Sequence, residues 1–283
     1  MADLMEEADY DSNGALACLL IETREELDNL CNMYNPPIFD SDATLEIGFQ
    51  YAGEQLPTLP FTCVAIEGGG NTFPVLQGWM PYVTTAFLRN VSLAGLPNVF
   101  PQIQELHVSY INVNRSAAEA FQGRVLSVYQ GTVDLGKSRV SKLDLRNSTT
   151  CISVTPNLLR LRMISSNVVV FGKSPELRVI GESASVSISL KTCKFIGLTN
   201  STLQLSYQIE CQSACVENSA VEKPIVCKTF YVENSTAKFI CSETRLPVHI
   251  PGKGAWKYEN RILTAVEPSD QIGVVDKIYD SSE

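Results

Sequence analysis

Apolar residues recur along most of this chain in short groups of the form L-x-x-L-x-L, with polar residues between them. The first apolar position of each group falls at Val83, Ile103, Val125, Val140, Leu158, Leu177 and Phe195, and the fourth-position partner at Ala86, Leu106, Val128, Leu143, Leu161, Ile180 and Leu198. A group that returns about every twenty residues is the signature of a solenoid, in which each coil buries its apolar side against its neighbours. The steps are irregular, and the later coils are too short for a strand, two turns and a full helix, which rises only about 1.5 Å per residue. Their return arms are rich in β-formers: Val168, Val169, Val170 and Phe171, then Val186, Ile188 and Leu190, then Leu203, Leu205 and Tyr207. The pattern therefore predicts extended return arms and a parallel β-solenoid.

Before the array the period changes. Leu16, Leu19, Leu20, Thr23, Leu27, Leu30, Cys31 and Tyr34 fall on one helical face, with Glu22, Arg24, Glu25, Asp28 and Asn29 opposite. This spacing predicts an amphipathic helix over about 14–34, started at Ser12 or Asn13, stopped by Pro36-Pro37, and capping the first coil. The expected organisation is an acidic N-terminal region with this helix (1–60), the solenoid (61–245), and a C-terminal cap with a polar tail (246–283). Gly68-Gly69-Gly70 is not a phosphate loop, since no Gly-Lys-Ser/Thr follows.

The stretch from Val83 to Val113 and the segments VSKLDLRNST and LLRLRMISSN resemble leucine-rich-repeat proteins, with Leu96, Phe100 and Ile103 as the apolar return of the outer arc. The resemblance spans roughly residues 60 to 245. It implies a mainly β, leucine-rich-repeat-like parallel solenoid. Where that family places Asn or Cys after the strand, this chain has Val91, Ile111, Ser148, Ser166 and Ala184, so an asparagine ladder is absent or replaced by serine.

Charge and cysteine content refine the picture. Residues 1–60 carry a net −12 and residues 259–283 a net −4, leaving the middle at +7. Nine cysteines are an odd number. The intervals between Cys193, Cys211, Cys227 and Cys241 are close to one coil each, which predicts that they stack in the core. The acidic N-terminus lacks the basic and apolar parts of an export signal, so a reducing, cytoplasmic setting is expected. The five N-x-S/T matches at Asn90, Asn114, Asn147, Asn200 and Asn234 point to the alternative, a secreted or surface solenoid that binds or cleaves glycan. Three of them are the same Asn-Ser-Thr, which a recurring turn would also produce.

Within each strand the residue between the last two apolar positions faces the exposed sheet. These are Phe87, His107, Tyr129, Asp144, Arg162, Gly181 and Thr199, flanked by Arg89, Glu105, Lys142, Arg146 and Arg160. Aromatic residues and arginine are what protein-binding centres use, because they bury much area for little lost freedom. The expected partner-binding set is Phe87, Arg89, His107, Tyr129, Lys142, Asp144, Arg146, Arg160 and Arg162, and the expected partner is another protein. Nucleic acid is disfavoured by the acidity of the whole chain. No catalytic residue, cofactor or metal is expected: the only histidines are His107 and His249, the pair Cys211-x3-Cys215 lacks a second close pair, and Asp134 and Asp144 are the sole carboxylate candidates for glycan cleavage.

Overall fold

The structure, a computed structural model, describes residues 9–10, 16–34, 38–69, 73–241, 253–259 and 262–272. It divides into two compact units, residues 1–140 and 141–283. Each is mainly β, and each is a parallel β-solenoid.

In the first unit the strands are β1 (Asp9–Tyr10), β2 (Leu16–Ile21), β3 (Phe39–Tyr51), β4 (Gln55–Leu56), β5 (Cys63–Gly68), β6 (Gln77–Gly78), β7 (Thr85–Arg89), β8 (Glu105–Ser109) and β9 (Val125–Tyr129). The helices are α1 (Arg24–Cys31), α2 (Leu96–Val99) and α3 (Arg115–Ala120). Strands β2-β3-β5-β7-β8-β9 form a parallel sheet, with β1 antiparallel on the outer side of β2 and β4-β6 a separate short pair. Alternation decides which side chains are buried. Leu45, Val64, Ala86, Leu106 and Leu126 stack in one inward column, and Ile47, Ile66, Leu88, Val108 and Val128 in the next.

The N-terminal segment corrects the expected helix over 14–34. Leu16–Ile21 is a strand, parallel to β3 through Cys18–Thr44 and Ile21–Ile47, and the helix begins only at Arg24. The run LACLLI satisfies both helical and strand periodicity; the open edge of β3 decides, because its backbone groups need partners. Thr23, read as part of the apolar face, is instead the N-cap. Its hydroxyl accepts from the Glu26 amide at 3.2 Å and Glu26 accepts the Thr23 amide at 3.0 Å, a capping box. Leu27 and Leu30 are the buried face. Thr23→Ala is expected to cost about 1 kcal/mol, checked by urea unfolding; an unchanged midpoint would show that the cap adds nothing. Ser12, Asn13, Pro36 and Pro37 lie outside the described residues.

In the second unit β10 (Lys142–Arg146), β12 (Arg160–Ile164), β14 (Arg178–Glu182), β16 (Thr192–Thr199), β18 (Ile209–Glu217), β20 (Ile225–Glu233) and β21 (Lys238–Cys241) build one parallel sheet. The return arms β11 (Thr149–Val154), β13 (Asn167–Gly172), β15 (Ser185–Ser189), β17 (Thr202–Leu205) and β19 (Ala220–Val221) build a second. The extended return arms are as expected. In the first unit the arms after β7 and β8 instead carry the short helices α2 and α3, where two more residues per turn leave room for them. Strands β22 (Lys253–Glu259) and β23 (Ile262–Ile272) close the chain as an antiparallel pair, with β23 against β21. The strand β22 carries Trp256; the polar tail 280–283 and His249 lie outside the described residues.

Register corrects the frame at two turns. Equivalent residues recur every 20 positions along Thr85, Glu105 and Val125, and every 16–18 along Lys142, Arg160, Arg178, Phe195, Ser213 and Thr229. Val125 therefore does not open its group; Leu126 and Val128 are the inward pair. Likewise Val179 and Gly181 point inward and Ile180 outward, because the register step from Arg160 to Arg178 is 18 residues, one fewer than the apolar step from Leu158 to Leu177.

One backbone device sets these turns. The residue after each main-sheet strand from β7 to β20 has positive φ, between 43° and 58°: Asn90, Tyr110 and Gln130 in the first unit, and Asn147, Ser165, Ser183, Asn200, Asn218 and Asn234 in the second. This left-handed conformation bends the chain inward, and Asn tolerates it best among residues with a Cβ. The recurring Asn-Ser-Thr thus has a structural cause.

In the second unit the next residue is a serine at every one of these turns except Ala184, buried at all but Ser235. Ser148, Ser166, Ser201, Ser219 and Ser235 each donate to the last carbonyl of their own strand at 2.6–2.9 Å. They form the serine substitute for the asparagine ladder. Ser166 Oγ accepts the Ser148 amide, Ser201 Oγ the Ala184 amide, Ser219 Oγ the Ser201 amide and Ser235 Oγ the Ser219 amide. Cys193, Cys211 and Cys227 stack in register in the core as expected, and the backbone of Cys241 continues the column. Hydrogen bonds from Cys193 and Cys227 push the Cys211 thiol down to about 5 against the opposing effect of burial, while that contact with Cys211 and burial hold Cys193 well above its usual range.

Candidate binding faces

The outward face of the first unit's sheet carries one of the two faces. Phe87 and His107 are opposite each other on β7 and β8, and their rings stack at 4.5 Å and 10°. The third member of that column is Ser127, not Tyr129. Tyr129 belongs to the neighbouring column with Arg89 and Ser109, a consequence of the frame correction at Val125.

That neighbouring column is more connected than its sequence suggests. Arg89 pairs with Glu67 of β5 at 3.4 Å and lies over the Tyr110 ring at 4.9 Å, and Tyr110 meets Tyr129 edge-on at 6.0 Å. Tyr110 was not expected here; it occupies the left-handed corner that Asn fills in most other turns. Its oddity at that slot is the signal that would have identified it. Phe87, Tyr110 and Tyr129 remain 47%, 41% and 36% exposed. Beside them a groove of about 440 Å3 runs across β3, β5, β7 and β8, walled by Glu46, Glu67, Phe87, Arg89, His107 and Ser109 over Gly48 and Ala65. It offers acidic, basic and aromatic surface in one place, the mixture a polypeptide carries.

The second unit's outward face is an ordered grid. One column runs Lys142, Arg160, Arg178, Phe195, Ser213; the next Asp144, Arg162, Ile180, Gly197, Cys215, Tyr231; the third Arg146, Ile164, Glu182, Thr199, Glu217, Glu233. The expected basic residues Lys142, Arg146, Arg160 and Arg162 are together at one end. Gly181, expected in the central column, is buried inward, and Thr199 belongs to the third column. Arg162 makes a bidentate pair with Glu182 at 2.9 and 3.0 Å, which raises its pKa further. Asp144 Oδ1 and Arg160 Nε are buried atoms without a hydrogen-bond partner.

Among the described residues no group of three or more His, Cys, Asp or Glu could hold a metal ion. Cys211 faces the core while Cys215, on the same strand, is on the outward face, so the two do not converge. Asp134 is engaged by Arg115 at 3.1 Å. Among the described residues no helix is long and apolar enough to cross a membrane. Comparison with protein-family models, curated proteins and solved structures finds no match.

Proposed function

We propose that this chain is a non-enzymatic protein-binding module of leucine-rich-repeat-like type, working in the cytoplasm, with α1 and the strand before it capping the first turns. The observation that carries the reading is the cluster of Phe87, Arg89, Tyr110 and Tyr129 beside the groove. Three large aromatic side chains stay more than one-third exposed, Tyr110 and Tyr129 edge-on to each other under Arg89 and Phe87 stacked on His107. Pre-ordered aromatic and arginine side chains lose little freedom on binding, and they dominate measured interface energetics. None of the three rings is needed to fill the core, which Leu88, Leu106, Val108, Leu126 and Val128 complete without them.

The test is photo-crosslinking from position 109, inside the groove, followed by capture with wild type and with the variant Phe87→Ala/Arg89→Ala/Tyr110→Ala. Removing hot-spot residues worth about 2 kcal/mol or more each should reduce partner retention by at least about 100-fold, with the circular dichroism spectrum and unfolding midpoint little changed. Equal retention by both proteins would reject the face.

A further inference from the structure

The second unit's outward face is graded in charge. Lys142, Arg146, Arg160 and Arg162 stand at the β10–β12 end with Asp144; Arg178 and Glu182 stand at β14, Glu182 paired with Arg162; Glu217 and Glu233 stand at the β18–β20 end. Its middle is flat and apolar. Ile164, Ile180 and Phe195 are half-buried, and Gly197 has no side chain, its would-be Cβ lying 2.7 Å from the Phe195 ring. A polyanion would gain at one end and be repelled at the other, so the occupant must carry the opposite gradient. The same face turned end for end carries it.

We infer that two copies of this chain associate through this face, about a two-fold axis parallel to the strands and lying between β14 and β16. This rests on the reading that the outward sheet binds protein, and it names a partner for the second unit's part of it. Such an axis reverses the order of turns and keeps position along the strand. Strand β10 then meets β20 of the other copy, β12 meets β18 and β14 meets β16. The register places Arg146 opposite Glu233, Asp144 opposite Tyr231, Arg178 opposite Phe195, and Ile180 opposite the hollow at Gly197; within one copy the Tyr231 hydroxyl already donates to Glu233 at 2.7 Å and Arg178 lies over the Phe195 ring at 5.2 Å, so the ion pair of Arg146 with Glu233 is the contact the two-fold axis adds. No two like charges fall opposite each other among these pairs. Arg146 has no ion pair among the described residues.

Area sets the strength. Six strands about 4.8 Å apart, each presenting about five residues, make a patch of about 400 Å2 per copy, below the size of a stable standard interface. The dimer is therefore weak and concentration-dependent, with a Kd of micromolar order or above.

Sedimentation velocity of the full chain over about 5 µM to 1 mM, at low and high salt, tests this. Wild type should shift from monomer to dimer, less so at high salt. Arg146→Glu and Glu233→Arg each set two like-charge contacts in the homodimer and should weaken it at least about tenfold. An equimolar mixture of the two variants, and the double variant Arg146→Glu/Glu233→Arg, should restore association to within about threefold of wild type, since each recreates both opposite-charge contacts. Recovery also separates interface loss from misfolding. A wild type that is monomeric throughout, or a mixture that stays as weak as the single variants, overturns the inference. If such a monomer still captures a partner through Phe87, the protein-binding reading stands alone; if the Phe87 capture also fails, both fall.

Discussion

Leu161→Ala is expected to lower the unfolding free energy by about 2–5 kcal/mol, the range for removing a fully buried leucine. Leu161 is 0% exposed on β12, between Leu143 of β10 and Val179 of β14. Those neighbours are fixed by the ladders of their own strands, so the space left by the lost methyl groups cannot close. A solenoid turn is supported only by the turns on either side. Amide exchange should therefore accelerate most in β10, β12 and β14 and less in β18 and β20. Urea unfolding and hydrogen exchange together check this. A loss below about 1 kcal/mol, or uniform acceleration along the whole unit, would show that the turns do not depend on neighbour packing in this way.

Ser201→Ala is expected to cost about 1–3 kcal/mol although it removes one oxygen, because it strands a buried amide. The Ser201 hydroxyl accepts the Ala184 N–H at 3.0 Å and donates to the Thr199 carbonyl at 2.8 Å. Ala184 and Ser201 are both only 4% exposed, so water cannot replace the lost partner. Ala184 is also the one break in the serine ladder, where no hydroxyl faces the Ser166 amide. Ala184→Ser should complete the ladder and stabilise by about 0.5–1.5 kcal/mol, its hydroxyl donating to the Glu182 carbonyl as the other serines do. Equal signs in thermal unfolding would reject the ladder as a source of stability.

Much of the fold was legible because burial in a parallel solenoid leaves a one-dimensional record. Alternation marked the inward residues of β7, β8, β10 and β12, the β-branched runs marked β13 and β15, and the cysteine intervals marked a core column. The failures have physical causes too. At Val125 and Leu177 apolar side chains occur on both faces of a strand, so the local pattern admits frames two residues apart or one residue short. The left-handed corners remove that freedom, since the residue after each strand must bend the chain at a fixed place. Segment 16–21 failed because LACLLI suits both periods, and only the unpaired edge of β3 selects the strand.

For the binding faces, residue types were legible and neighbours were not. Phe87 and His107 were expected together and are stacked; Tyr129 was expected with them and instead stands with Arg89 and Tyr110. Arg162 lies beside Asp144 on the next strand, yet pairs with Glu182 two strands away from Asp144, because the bidentate reach runs along the diagonal.

By itself the sequence determined that the chain buries itself turn on turn, that the later arms are extended, and that the outward positions are aromatic in one region and basic in another. These follow from periodicity, which needs no knowledge of what lies alongside. Only the tertiary structure decided the register that makes a charge gradient from the second unit's grid, the Arg89–Glu67–Tyr110 contacts beside the groove, and the serine-to-amide ladder. Each of these joins residues about one turn or more apart, and a turn that varies by one or two residues in length hides such pairs until the strands are laid side by side.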